Sequence, residues 1–195
     1  MANIMVSIIA AYLVGCFPTA YLVGRLHKGL DIREVGDRNM GAANVYRQVG
    51  HWSGLFVCLA DIGKGILAIA ISRWLGVSDQ ITLVSGFAVV VGHNWPVFLG
   101  FRGGRGEATA TGVLLSLLPR ETLILIGVAS IPLAITRNMI FSSIFLFLPL
   151  PLLAWWFGAS GMYIAFSMVL PALVGFTHYL TTRNLPADVE RGALR

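Results

Sequence analysis

Charged residues are scarce in this sequence. Asp, Glu, Lys and Arg together make up 12% of the 195 residues, whereas 56% are hydrophobic. An ordinary soluble domain carries about twice that charged fraction. The mean hydropathy of +0.78 agrees with this imbalance. No stretch remains from which a soluble domain could be built, so the sequence predicts one integral membrane domain over residues 1–195.

Cysteine is also rare, and several familiar signatures are missing. The two cysteines, Cys16 and Cys58, lie inside apolar stretches, where they behave as small hydrophobic residues. No Lys or Arg precedes Arg25, so a secretory signal peptide is not predicted. The sequence contains neither G-x-x-x-x-G-K-[ST] nor G-x-S-x-G. Disulfide, metal and redox chemistry are therefore not predicted, and neither is a nucleotide-binding P-loop.

Long apolar runs, by contrast, dominate the chain. They cover residues 3–24, 53–72, 79–99, 108–118, 121–136, 140–157 and 161–180. A membrane-spanning helix needs about 20 apolar residues, or fewer where it crosses only in part. The sequence therefore predicts an all-α, polytopic membrane protein with about seven transmembrane helices. Five crossings also fit, because only Pro119, Arg120 and Glu121 separate the fourth run from the fifth.

The basic residues are unevenly divided between alternate loops. With the N-terminus outside, Arg73 and Arg120 fall in outer loops and Lys64 lies within a helix. The other eleven fall in cytoplasmic loops or the tail: Arg25, Lys28, Arg33, Arg38, Arg47, Arg102, Arg105, Arg137, Arg183, Arg191 and Arg195. The positive-inside rule therefore predicts an outside N-terminus and a cytoplasmic C-terminus. Basic residues placed in this way indicate membrane orientation, so no nucleic-acid partner is predicted.

The long polar loops all lie on the predicted cytoplasmic side, which favours an enzyme working at the membrane surface over a conduit. The first reads D-I-R-E-V-G-D-R-N-M-G-A-A-N-V-Y-R, from Asp31 to Arg47. Its glycines permit unusual backbone angles, and Asn39, Asn44 and Arg47 supply donors suited to an anion. A solvated turn followed by a helix start explains this loop equally well.

The second loop contains G-F-R-G-G-R-G-E-A-T, from Gly100 to Thr109. A glycine-rich turn that leads into a helix exposes backbone N–H groups and can cradle a phosphate. Arg102 and Arg105 add full positive charges that can grip phosphate oxygens. The alternative is a basic anchor at the membrane interface. His93 precedes the loop and is either a packed histidine or a substrate contact.

Polar residues also occur within or beside the apolar runs. Asp61 and Lys64 are three apart on one helix and share a face, where they either orient a phosphate site or close a helix interface. Ser142 and Ser143 begin the sixth run, and His178 lies near the end of the seventh. No third member of a catalytic triad is evident, so hydrogen-bonding roles are favoured over a covalent acyl-serine.

These motifs resemble those of the bacterial acyl-phosphate:glycerol-3-phosphate acyltransferases, integral membrane enzymes that make lysophosphatidic acid. The resemblance covers most of the length. It is carried by His178 and by G-D-R-N-M-G-A-A-N-V-Y-R, D-I-G-K-G and G-H-N-W-P-V-F-L-G-F-R-G-G-R-G-E-A-T. It implies seven helices in the bacterial inner membrane, with an active site that faces the cytoplasm. It also implies acyl phosphate as donor, glycerol 3-phosphate as acceptor, and neither a cofactor nor a metal ion.

The resemblance also implies a mechanism and a set of site residues. The acceptor hydroxyl attacks the acyl carbonyl, phosphate leaves, and the acceptor's own phosphate helps to remove the proton. Because acyl phosphate is an activated donor, positioning and charge stabilisation can carry much of this catalysis. The predicted catalytic residues are Arg105, Ser143 and His178. The predicted substrate-binding and phosphate-binding residues are Asp37, Asn39, Asn44, Arg47, His93, Arg102, Gly103, Gly104, Gly106 and Thr109.

Several motif positions depart from the family pattern. Asp37 replaces the serine of the family's G-S-G-N motif. Arg105 and Glu107 replace the lysine and the valine of G-G-K-G-V. Thr181 replaces the asparagine of R-H-x-x-N, although Asn184 follows three residues later. A carboxylate in the loops would repel phosphate unless an arginine pairs with it. The candidate partners are Arg38, Arg102 and Arg105. The substrate therefore differs, or the site has re-paired its charges, or activity has been lost.

Two other functions are open at this stage. The same basic loops could serve an anion or phosphate transporter or channel, or an inactive relative that binds lipid phosphate. A transporter needs a polar path through the helices. Apart from Asp61 and Lys64, the apolar runs carry almost no charge, which favours the acyltransferase.

Overall fold

The computed structural model describes residues 1–183, in which the regular secondary structure is helical, without strands. Asn184, Arg191 and Arg195, which entered the sequence-based expectations, lie outside the described residues. The helices are α1 (Ala2–Gly15), α2 (Thr19–Lys28), α3 (Ala42–Gln48), α4 (His51–Trp74), α5 (Asp79–Asn94), α6 (Glu107–Leu117), α7 (Pro119–Thr136), α8 (Met139–Phe147), α9 (Leu150–Trp156) and α10 (Gly161–Thr182). Two compact units are distinguished, Met1–Val113 and Leu114–Arg195. A single domain over residues 1–195 stays a prediction.

The prediction of an all-α, polytopic membrane protein is confirmed. In the described part of the chain, six segments are long and apolar enough to cross a membrane: Ala2–Lys28, His51–Trp74, Asp79–Leu99, Pro119–Thr136, Met139–Trp156 and Gly161–Thr182. The fourth predicted run forms α6, which has only 11 residues. Its length of about 16 Å is roughly half the hydrocarbon thickness of a bilayer. The fourth and fifth runs form separate helices on either side of Leu118, and the number of crossings stays a prediction.

Proline divides the first apolar run into two helices. Pro18 lies between α1 and α2, and it lacks the backbone N–H that would continue the hydrogen bonding of α1. Helix α2 then ends at Gly29, whose φ of 65° suits a glycine C-cap. This ending sets the start of the first polar loop.

Small residues let the helices of the first unit approach closely. A side chain at Gly15 of α1 would strike the Val89 carbonyl oxygen of α5, and one at Gly92 would strike the Tyr12 carbonyl oxygen. Nearby, the Ser7 hydroxyl lies 2.8 Å from those of Ser72 and Ser85. Interfaces of this kind, with small residues and shared hydroxyls, are typical of helix association in membranes. They join α1, α4 and α5 into one packed group.

The start of α6 packs against α4 in the same way. A Cβ atom at Gly65 would overlap the backbone of Thr109 and Val113, and one at Gly112 would overlap the backbone of Ile62. The two helices therefore touch backbone to backbone. This contact fixes the position of the glycine-rich turn that immediately precedes α6.

The second unit consists of the end of α6 and the helices α7 to α10. Helix α7 ends at Arg137, and the Asn138 side chain then caps α8 by accepting a hydrogen bond from the Phe141 N–H at 3.0 Å. Helices α8 and α9 together make one candidate span. The Arg120 guanidinium lies 3.6 Å from the centroid of the Phe157 ring, a cation–π contact at the start of α7.

Candidate active site

Hydrogen bonds from the Arg33 side chain stabilise the first polar loop. The Arg33 side chain donates to both Asp31 carboxylate oxygens, at 3.0 and 2.8 Å, and to the Leu99 carbonyl at 3.2 Å. These hydrogen bonds hold the pKa of Asp31 at about 2. The Arg33 N–H also donates to Asp31, a local turn that the D-x-R spacing could have signalled. This pair was not among the predicted site residues. Through Arg33 it connects the first loop to Leu99, just before the second loop.

Asn44 shapes the first loop from within. It is fully buried at the start of α3, and its amide nitrogen donates to the carbonyls of Ile32, Val35 and Asn39, each at 3.0 Å. The sequence-based expectation was that this amide would donate to an anion. In this structure its donors serve the loop backbone instead, so Asn44 determines the shape of the loop that presents Asp37.

Asp37 lies between two arginines. Its Oδ2 atom is 3.1 Å from Nη2 of Arg47 on α3 and 3.7 Å from Nη1 of Arg105 in the second loop. An arginine partner was expected for this carboxylate, and Arg105 was one of the three candidates. The other two candidates are Arg38 and Arg102, and neither is the partner. The shorter contact is with Arg47, so we call Arg47 and Arg105 the arginine pair.

Burial shifts the pKa of two groups in the second loop. Arg105 is 8% exposed, and the loss of solvation lowers its pKa, an effect that the Asp37 carboxylate opposes. Burial raises the pKa of Glu107 to about 7, although the positive charge of Arg105 acts in the opposite direction. The Glu107 carboxyl therefore holds its proton to a higher pH than an exposed glutamate does.

The glycine-rich turn packs against the end of α5. The Gly103 N–H donates to the Asn94 carbonyl at 3.2 Å, and the Gly104 N–H donates to the His93 carbonyl at 3.0 Å. These two N–H groups were expected to face a phosphate, but they satisfy carbonyls that the helix leaves free at its C-terminus. A side chain at Gly104 would strike the His93 ring, so glycine is needed here to fit the protein itself.

Gly106 completes the turn with a φ of 83° and leads directly into α6. The sequence-predicted order of glycine turn and helix start is therefore present. Thr109, in the first turn of α6, is fully buried, and its hydroxyl has no hydrogen-bond partner within residues 1–183. Gly106 and Thr109 lie close to Arg105 in the chain, at the N-terminal end of α6. The backbone N–H groups at this end of a helix favour an anion.

Behind the turn lies a buried ionic group. Lys64 donates to the Asp61 carboxylate and to the Phe17 carbonyl, both at 2.7 Å. Nδ1 of His93 is 3.7 Å from the same carboxylate, and all three side chains border a small pocket at the break between α1 and α2. The i, i+3 pairing of Asp61 with Lys64 agrees with the sequence analysis. His93 is packed between this pair and Gly104.

The remaining candidates of the first unit lie nearer the surface. Arg102 pairs with Glu34 at 3.0 Å, and both side chains are about 60% exposed. Asn39 is half-buried in the first loop, where its amide lies against Gly41. Arg102 thus adds a further link between the two loops. Within residues 1–183, no group of three or more His, Cys, Asp or Glu side chains is arranged to hold a metal ion.

Ser143 and His178 belong to the second unit. The Ser143 hydroxyl donates to the Ile140 carbonyl of its own helix at 2.9 Å, and Ser142 donates similarly to Asn138 at 2.8 Å. His178 is half-buried on α10, and its backbone carbonyl accepts hydrogen bonds from Thr181 and Thr182. The roles of Ser143 and His178 in orienting the reacting groups stay predictions.

The chain has clear relatives among known proteins. A family model described as glycerol-3-phosphate acyltransferase matches residues 5–187. Glycerol-3-phosphate acyltransferase 4 of Dehalococcoides mccartyi is 45% identical over 177 residues, which cover 91% of this chain and 96% of that protein. A glycerol-3-phosphate acyltransferase of Synechococcus sp. is 37% identical over 179 residues, with 92% and 90% covered.

Two crystal structures have the same fold. They are of PlsY, an integral membrane glycerol 3-phosphate acyltransferase, in its glycerol 3-phosphate form and in its lysophosphatidic acid form. The first is 30% identical with a TM-score of 0.85, and the second is 28% identical with a TM-score of 0.83. Each match covers 98% of this chain and 94% of the other. The chain therefore belongs to the glycerol-3-phosphate acyltransferase family.

Proposed function

We propose that this protein transfers a fatty acyl group from acyl phosphate to the 1-hydroxyl of glycerol 3-phosphate, which yields lysophosphatidic acid for phospholipid synthesis. The observation that carries the proposal is the arginine pair, in which two guanidinium groups converge on one anionic oxygen. Guanidinium groups match the geometry of phosphate oxygens and keep their charge at all relevant pH values. Family membership and the glycerol 3-phosphate form of the PlsY relative support the choice of acceptor.

The proposed step is a single acyl transfer. A bond forms between the 1-hydroxyl oxygen and the acyl carbon, the bond from that carbon to the phosphate oxygen breaks, and the hydroxyl proton passes to a phosphate group. Arg105 and Arg47 hold phosphate, while Ser143 and His178 orient the reacting groups. Supporting contacts are assigned to Asn39, His93, Arg102, Gly106 and Thr109, while Gly103 and Gly104 shape the turn that presents Arg105. Positioning and charge stabilisation then supply the rate enhancement.

Purified protein should convert acyl phosphate and glycerol 3-phosphate into equal amounts of lysophosphatidic acid and inorganic phosphate. Mass spectrometry of the lipid product and a colorimetric phosphate assay measure the two separately, and omission of either substrate is the control. Uptake of phosphate into liposomes without any lipid product would favour the transporter. Phosphate binding with neither product nor uptake would indicate an inactive relative.

We further propose that the active site faces the cytoplasm, with the N-terminus outside and the C-terminus inside the bacterial inner membrane. The bias of basic residues toward alternate loops supports this orientation. In a background with Cys16 and Cys58 replaced by serine, Ala2→Cys should react with an impermeant maleimide applied to intact spheroplasts. Lys28→Cys, at the end of α2, should react only after lysis. The reverse pattern would contradict the orientation.

A further inference from the structure

The Asp37 carboxylate lies between the two side chains of the arginine pair, where a bound anion would lie. Its Oδ2 atom lies 3.1 Å from a guanidinium nitrogen of Arg47 and 3.7 Å from one of Arg105. A phosphate oxygen needs the same arrangement, with charged N–H donors approaching from two sides. A carboxylate at this point therefore uses the donors that a substrate phosphate would use.

Few contacts hold this carboxylate in place. The Asp37 side chain is 4% exposed, and its Oδ1 atom is enclosed without a hydrogen-bond partner in the described part of the chain. Asp31, in the same loop, accepts from the Arg33 side chain with both oxygens and from the Arg33 backbone with one of them. A buried carboxylate that serves the scaffold normally has its oxygens satisfied in this way. Among residues 1–183, only the arginine pair contacts the Asp37 carboxylate by hydrogen bond or ion pair.

One side of the arrangement is open to an incoming anion. The Arg47 side chain is 29% exposed, whereas that of Arg105 is 9% exposed. An anion can therefore first meet Arg47. A phosphate dianion carries more charge than a carboxylate and offers more acceptor oxygens, so it can take both guanidinium groups from Asp37.

We propose that Asp37 is an internal competitor: it occupies the arginine pair in the resting protein, and the phosphate group of a substrate binds by displacing it. The inference rests on the proposed function, because it concerns the same site. It makes Asp37 a residue that sets the substrate concentration at which the enzyme works. The serine found at this position in the family pattern carries no charge with which to compete.

The test compares Asp37→Ser and Asp37→Asn with the wild type, by isothermal titration of inorganic phosphate and of glycerol 3-phosphate in detergent. Loss of a charged competitor should lower the Kd for phosphate about tenfold or more in both variants. The KM of the acceptor should fall if glycerol 3-phosphate supplies the displacing group. Tighter binding of inorganic phosphate alone would assign the displacing group to the donor's phosphate instead.

Asp79→Asn is the matched control. It removes the same charge, but Asp79 is exposed at the start of α5, whereas the glycine-rich turn packs against the end of that helix. A surface charge is strongly screened, so this variant should bind phosphate within about twofold of the wild type. Equal tightening in Asp79→Asn and Asp37→Ser would mean that net charge alone acts, and the proposal would fail.

Two other results would also overturn the proposal. Weaker phosphate binding in both Asp37 variants, at unchanged thermal stability, would mean that Asp37 positions the arginines for phosphate. Unchanged binding with a steep loss of kcat would make it a general base. Asp37→Asn keeps the shape of the side chain, so it carries the test if Asp37→Ser does not fold. If phosphate binding tightens but no variant forms lysophosphatidic acid, the displacement stands and the proposed reaction fails.

Discussion

Replacing Arg105 with alanine should lower kcat/KM for glycerol 3-phosphate by about ten- to over a hundredfold. The lost contact is a charge-assisted hydrogen bond to phosphate, worth roughly 1.5 to 3 kcal/mol. Because Arg105 is buried, solvent does not weaken this contact as it would at the surface. Arg105→Lys should keep a good part of the activity, since the charge survives and the family pattern has lysine here.

The matched control for Arg105→Ala is Arg73→Ala. Arg73 carries the same charge but lies in the last turn of α4. The first loop is connected to the opposite end of this helix, which begins at His51. Its replacement should leave kcat/KM within about twofold. All variants are assayed as purified proteins of matched thermal stability, with both substrates below saturation. Wild-type activity in Arg105→Ala would identify the second loop as an interfacial anchor.

The second large effect concerns the buried pair behind the glycine-rich turn. Asp61→Asn should destabilise the protein by roughly 3 to 5 kcal/mol, because it leaves the Lys64 ammonium buried without its counter-charge. Lys64 is 7% exposed, and its hydrogen bond to the Phe17 carbonyl does not neutralise the charge. The unfolding temperature in detergent should fall by about 10 °C.

Two further variants separate charge from packing at this pair. The double variant Asp61→Leu, Lys64→Met removes both charges and should recover much of the lost stability. Asp79→Asn, at the exposed start of α5, removes one carboxylate at the surface and should change the unfolding temperature by less than about 2 °C. Equal unfolding temperatures for Asp61→Asn and Asp79→Asn would show that the pair does not stabilise the fold.

Local spacing made part of this site predictable. Asp61 and Lys64 are one helical turn apart, so their contact follows from helix geometry, and the apolar runs determined where the helices lie. The order of glycine turn and helix start around Gly106 follows from composition in the same way. Each of these features depends on residues that are neighbours in the chain.

The remaining contacts depend on how distant segments meet. Gly36 and Arg38 both have a φ between 50° and 60°, and these unusual angles on either side of Asp37 turn its side chain toward Arg47. Arg102 pairs with Glu34, 68 residues away in the sequence. The N–H groups of Gly103 and Gly104 were assigned to a ligand because the sequence does not reveal that the chain returns to the end of α5. Such pairings require the tertiary structure.

The glycine contacts of α4 and α5 differ in whether a second mutation could repair them. A side chain at Gly65 would meet the backbone of Thr109 and Val113, and every residue type carries that backbone. A genetic selection should therefore yield no suppressor of Gly65→Val that acts by trimming a neighbouring side chain. A side chain at Gly104 would instead meet the His93 imidazole. Replacing His93 with a smaller residue would leave room for that side chain. A substitution at position 93 can therefore compensate for a side chain at position 104, whereas no neighbouring substitution can compensate for one at position 65.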